Sequence, residues 1–209
     1  MSRKQRHGLL AIACTLLTAG AWWLGPAVGA VDRASLATAW FSTALFIAAL
    51  SIGPLLLLGG RLPPSNILMR RDLGIWVALT GLLHFSLGNV EAMNSSYVAA
   101  VAGGADWRLQ MFNWGAVLGT LLAAIFIVLL LISNNRALAR LGPIRWKRWQ
   151  RLSYLGFALS ISHGLLFQLL EHRSAALIAL LVLAGLGLAS LQLVGRSRYR
   201  RQLQDAKLR

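Results

Sequence analysis

The sequence predicts an all-α integral membrane protein: a bundle of six transmembrane helices with both termini on the cytoplasmic side. Three observations carry this expectation. They are the apolar composition, the recurrence of apolar runs long enough to span, and the placement of Lys and Arg. Hydrophobic residues make up 57% of the 209 positions and charged residues only 13%. That is about half the charged share of soluble domains. The mean hydropathy is +0.63. The length suits one domain, and no long polar stretch interrupts it.

Apolar runs of spanning length fall near residues 8–28, 36–58, 73–90, 112–132, 152–170 and 174–194. Short punctuated segments separate them. GGRLPPSNILMRRD carries a proline pair, SNNRALARLGPIRWKRWQ carries Gly-Pro, and LEHRS reads as a tight turn. Pro54 is expected to kink or end the second span. The first run, after SRKQRH, also resembles a signal peptide with a small-residue cleavage site at AVGA. Its apolar part is long for that, and the reading taken is an uncleaved helix. No internal repeat stands out.

With the N-terminus cytoplasmic, one side collects eighteen Lys and Arg. Arg3, Lys4 and Arg6 lie in the N-terminal tail. Arg61, Arg70 and Arg71 lie between spans two and three. Six more lie between spans four and five, and six in the C-terminal tail. The other side holds Arg33, Arg108 and Arg173. Such asymmetry is the positive-inside pattern. It also explains the net charge of +15 without nucleic acid. Anionic lipid headgroups are the expected counter-charge, and Trp146 and Trp149 read as interface anchors. Cys14 is the single cysteine, so there is no internal disulfide and no Cys-based metal motif.

Four histidines occur. His7 and His172 read as solvated loop residues. His84 and His163 lie inside spans, where an ionisable ring points to function. Each stands twelve residues after the charge that opens its span, Asp72 and Arg151. Both are therefore about 18 Å deep, in the outward half of the bilayer. Two neutral imidazoles at one level suit the axial positions of a haem iron. Small residues flank them at helical spacing: Thr80, Gly81 and Gly88 near His84, and Gly156 and Ser160 near His163. Plain hydrogen bonding between helices is the rival reading. A zinc site lacks carboxylate or thiolate ligands. A proton relay lacks a mid-depth Asp or Glu.

Three local marks follow one another along the chain. RRDLGIW is followed by LLH, from Arg70 to His84. Next comes LISNNRALARLG, Leu131 to Gly142. Last is the series Trp146, Gln150, Tyr154 and His163. In these, and in span order over residues 36–194, the chain resembles the ferric reductase-like transmembrane family. The likeness is to its MsrQ-like branch, the haem-binding membrane subunits of bacterial periplasmic methionine sulfoxide reductase systems. The resemblance implies electron transfer across a bacterial inner membrane. A quinol or a partner reductase would be the donor, and a periplasmic reductase or other acceptor would receive the electron. It carries an association with flavin mononucleotide as well. At the position of Gln150 the branch normally has a histidine, thirteen residues before the one matching His163. Here glutamine stands there, and Arg71 stands thirteen residues before His84. One haem b is therefore expected, on His84 and His163, with the inner site absent or differently built. No Gly-rich dinucleotide fingerprint follows Val194. Arg108 and Arg173 are candidate partners for haem propionates, with ordinary turn residues the preferred reading. Trp107, Trp114 and Tyr97 read as aromatic belt. Two other functions fit the same chain: a terminal ferric or oxygen reductase at the outer face, and a non-redox membrane assembly or transport protein.

Overall fold

The computed structural model describes residues 2–24, 29–59 and 67–207. These are almost wholly helical, with no strand among the described residues. In chain order the helices are α1 (Arg3–Leu24), α2 (Ala30–Leu58), α3 (Ile67–Ala92), α4 (Ser95–Ala102), α5 (Asp106–Ile132), α6 (Asn135–Gln150), α7 (Leu152–Leu170) and α8 (Ala175–Lys207). Apolar sequence selects helix because hydrocarbon offers no partner for a backbone N–H or C=O, and a helix satisfies both internally.

Among the described residues five segments are long and apolar enough to cross a membrane: Ala30–Leu58, Leu68–Ala92, Asp106–Ile132, Asn135–Leu170 and Ala175–Gln202. They cover the second to sixth expected spans. α1 is not among them. Its first turns carry Arg3, Lys4 and Arg6, which leaves an apolar run at the short end of the spanning range. The end of that expected span, residues 25–28, lies outside the described residues, as do the Pro pair and Arg61.

Of the kink or end expected at Pro54, the end does not occur: α2 continues through it to Leu58, and Pro54 is buried. A Cβ on Gly195 would come within 2.9 Å of Pro54 Cβ, so the ring is packed by a residue of α8 that has no side chain. The segment after span four is not a loop but α6, broken where Gly142 takes φ 70° and ψ 161° ahead of Pro143. Only a residue free of a Cβ takes such a φ cheaply. Trp146 Nε1 donates to the Ile132 carbonyl at 2.9 Å, which folds α6 back against the end of α5.

Packing centres on Phe46, whose ring meets Phe126 at 5.7 Å and Phe157 at 5.5 Å between centroids. Leu50, Val77, Leu122 and Leu188 complete this core. Lipid tails are as apolar as leucine, so close packing and hydrogen bonds between helices must hold the bundle. Ser42 Oγ donates to the Val77 carbonyl at 2.9 Å, and Gln192 Nε2 to the Leu50 carbonyl at 2.7 Å. These bonds tie α2 to α3 and α8 to α2.

The two ends differ. At the basic end the Asp72 side chain is 1% exposed and receives Arg3 and Arg6, each at 2.8 Å. His7 Nδ1 accepts the Trp76 indole N–H at 2.9 Å, and its Nε2 lies 3.4 Å from Asp72. His7 is thus a helical residue joining α1 to α3, which corrects its reading as a solvated loop residue. His172 is exposed. At the opposite end, Arg33 donates to the Ala21 and Trp22 carbonyls at 2.9 and 2.7 Å, and Arg108 to the Leu170 carbonyl at 2.7 Å. Each fork covers carbonyls left open at a helix C-terminus.

Asp72→Asn removes the charge that draws Arg3 and Arg6 to α3. A loss of about 1.5–3 kcal/mol is expected for charge-assisted bonds of this kind. It is read as a lower melting temperature in detergent, with faster amide exchange confined to α1.

Candidate functional site

The histidine helices α3 and α7 both pack on α5, with α2 behind α3 and α8 behind α7. A cleft opens between them, and His84 and His163 line it from opposite sides. Their ring centroids are 5.9 Å apart, with planes at 72°. Matched depth in the sequence is thus physical proximity in the fold.

Each ring is held by a backbone carbonyl of a neighbouring helix. His84 Nδ1 lies 2.9 Å from the Ser35 carbonyl of α2, with the Ser35 hydroxyl at 3.0 Å from the same nitrogen. His163 Nδ1 lies 2.8 Å from the Gly115 carbonyl of α5. A carbonyl can only accept, so Nδ1 carries the proton in both rings. In a neutral imidazole this leaves the Nε2 lone pair free, and metal-binding histidines are oriented by the same kind of bond.

Sequence reasoning missed these carbonyl partners, because any residue type can supply a carbonyl. It also missed Gly119. A Cβ there would come within 2.9 Å of His163 Cε1 and 3.0 Å of its Nδ1, so the missing side chain is what seats the ring. Of the small residues expected around the pair, Gly81, Gly88 and Ser160 line the cleft. Thr80 and Gly156 do not. Thr80 Oγ1 donates to the Trp76 carbonyl at 2.6 Å, and Gly156 faces Ile125, Phe46 and Leu122.

Phe126 and Phe167 supply aromatic walls, and Phe167 meets the His163 ring at 5.0 Å. The buried Gln168 Oε1 has no hydrogen-bond partner among the described residues, and Gln168 also lines the cleft. At the end opposite the basic one the cleft meets Asp32, Glu91, Glu171 and Arg173. Arg173 Nε donates to Glu171 at 2.6 Å, and Asp32 lies 3.5 Å from its Nη2. Burial opposes the Arg173 charge, but Glu171 and Asp32 outweigh it and raise its pKa above the ordinary value. Arg108, the other propionate candidate, instead caps α7. Trp107 and Trp114 are exposed, and the Tyr97 side chain lies outside the described residues.

The donor set suits a flat metal macrocycle. Two ligating nitrogens at about 2 Å from one metal put collinear imidazole centroids about 6 Å apart, close to the observed 5.9 Å. The cleft measures about 210 Å³, which is less than the bulk of a porphyrin. A haem would therefore reach beyond it or displace an aromatic wall. Among the described residues no group of three or more His, Cys, Asp and Glu is placed to hold a metal ion. At the expected inner position, Gln150 Nε2 is buried without a partner, and Arg71 Nη1 donates to Asn135 Oδ1 at 2.6 Å.

No family model matches the chain, and no solved structure matches it. The class that fold and cleft define is a helical protein with five helices long and apolar enough to span a membrane, carrying a facing histidine pair.

Gly119→Val should force the His163 ring off its carbonyl, at a cost of about 1–3 kcal/mol for overpacking. Ser35→Ala should cost under about 1 kcal/mol, because the Ser35 carbonyl remains. Nitrogen-15 NMR of labelled histidines checks this. The first change should remove the hydrogen-bonded His163 Nδ1–H signal, whereas the second should shift the His84 signal without removing it.

Proposed function

We propose that this chain is a haem b-binding electron-transfer protein of a bacterial inner membrane. It would pass electrons from a quinol or partner reductase to a periplasmic acceptor. One observation carries the reading. Two imidazoles on separate helices stand 5.9 Å apart, each with Nδ1 on a backbone carbonyl. With Nδ1 taken on both rings, Nε2 of each is the nitrogen that would hold a metal. When bound, haem supplies a one-electron couple in a low-dielectric setting.

The protein's own part is to hold and shield. The Ser35 and Gly115 carbonyls lock each ring in the ligating tautomer. Phe126 and Phe167 give the cleft apolar walls beside the rings. Arg173 brings a cation to the cleft mouth, although Glu171 and Asp32 already answer its charge. Likeness to the ferric reductase-like family, through its MsrQ-like branch, is the second support. It rests on the Arg70–His84, Leu131–Gly142 and Trp146–His163 segments. A glutamine at position 150 and an arginine at 71 favour a single haem.

The proposed topology has six spans, with α1 as the sixth and both termini cytoplasmic. The eighteen-to-three division of Lys and Arg supports it. So do the exposed Leu9, Ile12, Leu16 and Leu17 of α1, which give it an apolar outer face.

A reduced-minus-oxidised spectrum of purified protein, with a haem-to-protein ratio, tests the function. The expected ratio is near one. His84→Ala and His163→Ala should each abolish the signal, and His172→Ala should leave it intact. Protein with no Soret band, or a band that survives both histidine changes, rejects the reading.

A further inference from the structure

At the basic end a second pocket forms where α1, α3 and the α5–α6 junction meet. It is lined by Arg3, Arg71, Ser133, Asn134, Asn135 and Arg136, and measures about 440 Å³. Three of its six lining residues are arginine and none is acidic. The Asp72 carboxylate, beside Arg71 in the sequence, is turned to Arg3, Arg6 and His7. Among the described residues no carboxylate pairs with Arg71 or Arg136. Arg71 is steadied by Asn135, yet its Nε is buried with no hydrogen-bond partner. A buried, unpaired guanidinium N–H is costly unless an acceptor arrives.

α6 starts at the pocket, with Asn134 as its N-cap accepting the Ala137 N–H at 2.8 Å. Guanidinium forks match the oxygens of a phosphate, which can meet two N–H groups at once. The pocket also sits at the ends of two spanning helices, α3 and α5, where lipid headgroups would lie.

We propose that this pocket binds a phosphate group, held by Arg71 and Arg136 with Arg3 at its rim. The phosphate is either the headgroup of an anionic phospholipid or a free phosphate ion. The site is independent of the histidine cleft and stands whether or not that cleft holds haem.

The test uses the full chain, purified and delipidated. Native mass spectrometry measures retention of phosphatidylglycerol against phosphatidylcholine, and calorimetry measures binding of inorganic phosphate. Wild-type protein should retain the anionic lipid over the neutral one, or bind phosphate. The pair Arg71→Gln with Arg136→Gln should weaken that binding about tenfold or more. Arg140→Gln with Arg145→Gln, outside the pocket, should not. Asn135→Ala removes only the amide that steadies Arg71, and it serves if the double variant does not fold. It should weaken binding severalfold. Loss confined to the lipid identifies a headgroup site, and loss of phosphate binding identifies a small-anion site. Equal binding of both probes by wild-type and pocket variants overturns the proposal.

Discussion

Two hydrogen bonds, from His84 Nδ1 to the Ser35 carbonyl and from His163 Nδ1 to the Gly115 carbonyl, settle what the centre of this bundle can do. In hydrocarbon a polar ring must find a partner, and a helix carbonyl is the nearest one. Once Nδ1 is committed, the only reactive atom left on each ring is Nε2. The same bonds that make the rings tolerable among apolar helices also leave Nε2 of each ring uncommitted to them. Packing and chemistry meet in one contact, and the contact requires α2 beside α3 and α5 beside α7.

The rest of the architecture can be read as serving that placement. Glycines let α5 approach α3 and α7. A Cβ on Gly81 would collide with the Phe126 ring at 2.2 Å, and one on Gly115 with the Phe167 ring at 2.6 Å. Charge is kept to the two ends. Asp72 gathers the cations of α1, whereas Arg33 and Arg108 cover helix C-termini and Arg173 is held by Glu171 and Asp32. Cations that the sequence marks by topology thus have individual structural tasks. The pocket around Arg71 stands apart, because no carboxylate among the described residues pairs with Arg71 or Arg136.

Much of the fold was legible in the sequence because lipid imposes one solution on a long apolar run. α7, Leu152–Leu170, falls on its expected residues, and the equal distance of His84 and His163 from the flanking charges matches rings whose centroids lie 5.9 Å apart. What escaped notice depends on tertiary context. The carbonyl partners leave no mark in residue identity. The cluster of His7 with Trp76 and Asp72 joins residues about seventy positions apart. α6 looked like a loop because its Gly-Pro signal was read as an end, when it is a break between two helical pieces. Pro54 stays within α2 because the buried ring is accommodated against Gly195. Thr80 and Gly156 share a helical spacing with the cleft residues, yet turn to other neighbours.

The central claim is that two imidazoles share one iron, and low-temperature electron paramagnetic resonance of the oxidised purified protein tests it most directly. Two axial imidazoles impose a strong ligand field. Ring planes as steeply crossed as the observed 72° should give a strongly anisotropic low-spin ferric signal. The account predicts that signal in the wild type, and its replacement by a high-spin one, or by none, when either His84 or His163 is changed. A high-spin signal in the wild type, or a low-spin signal indifferent to both residues, contradicts it.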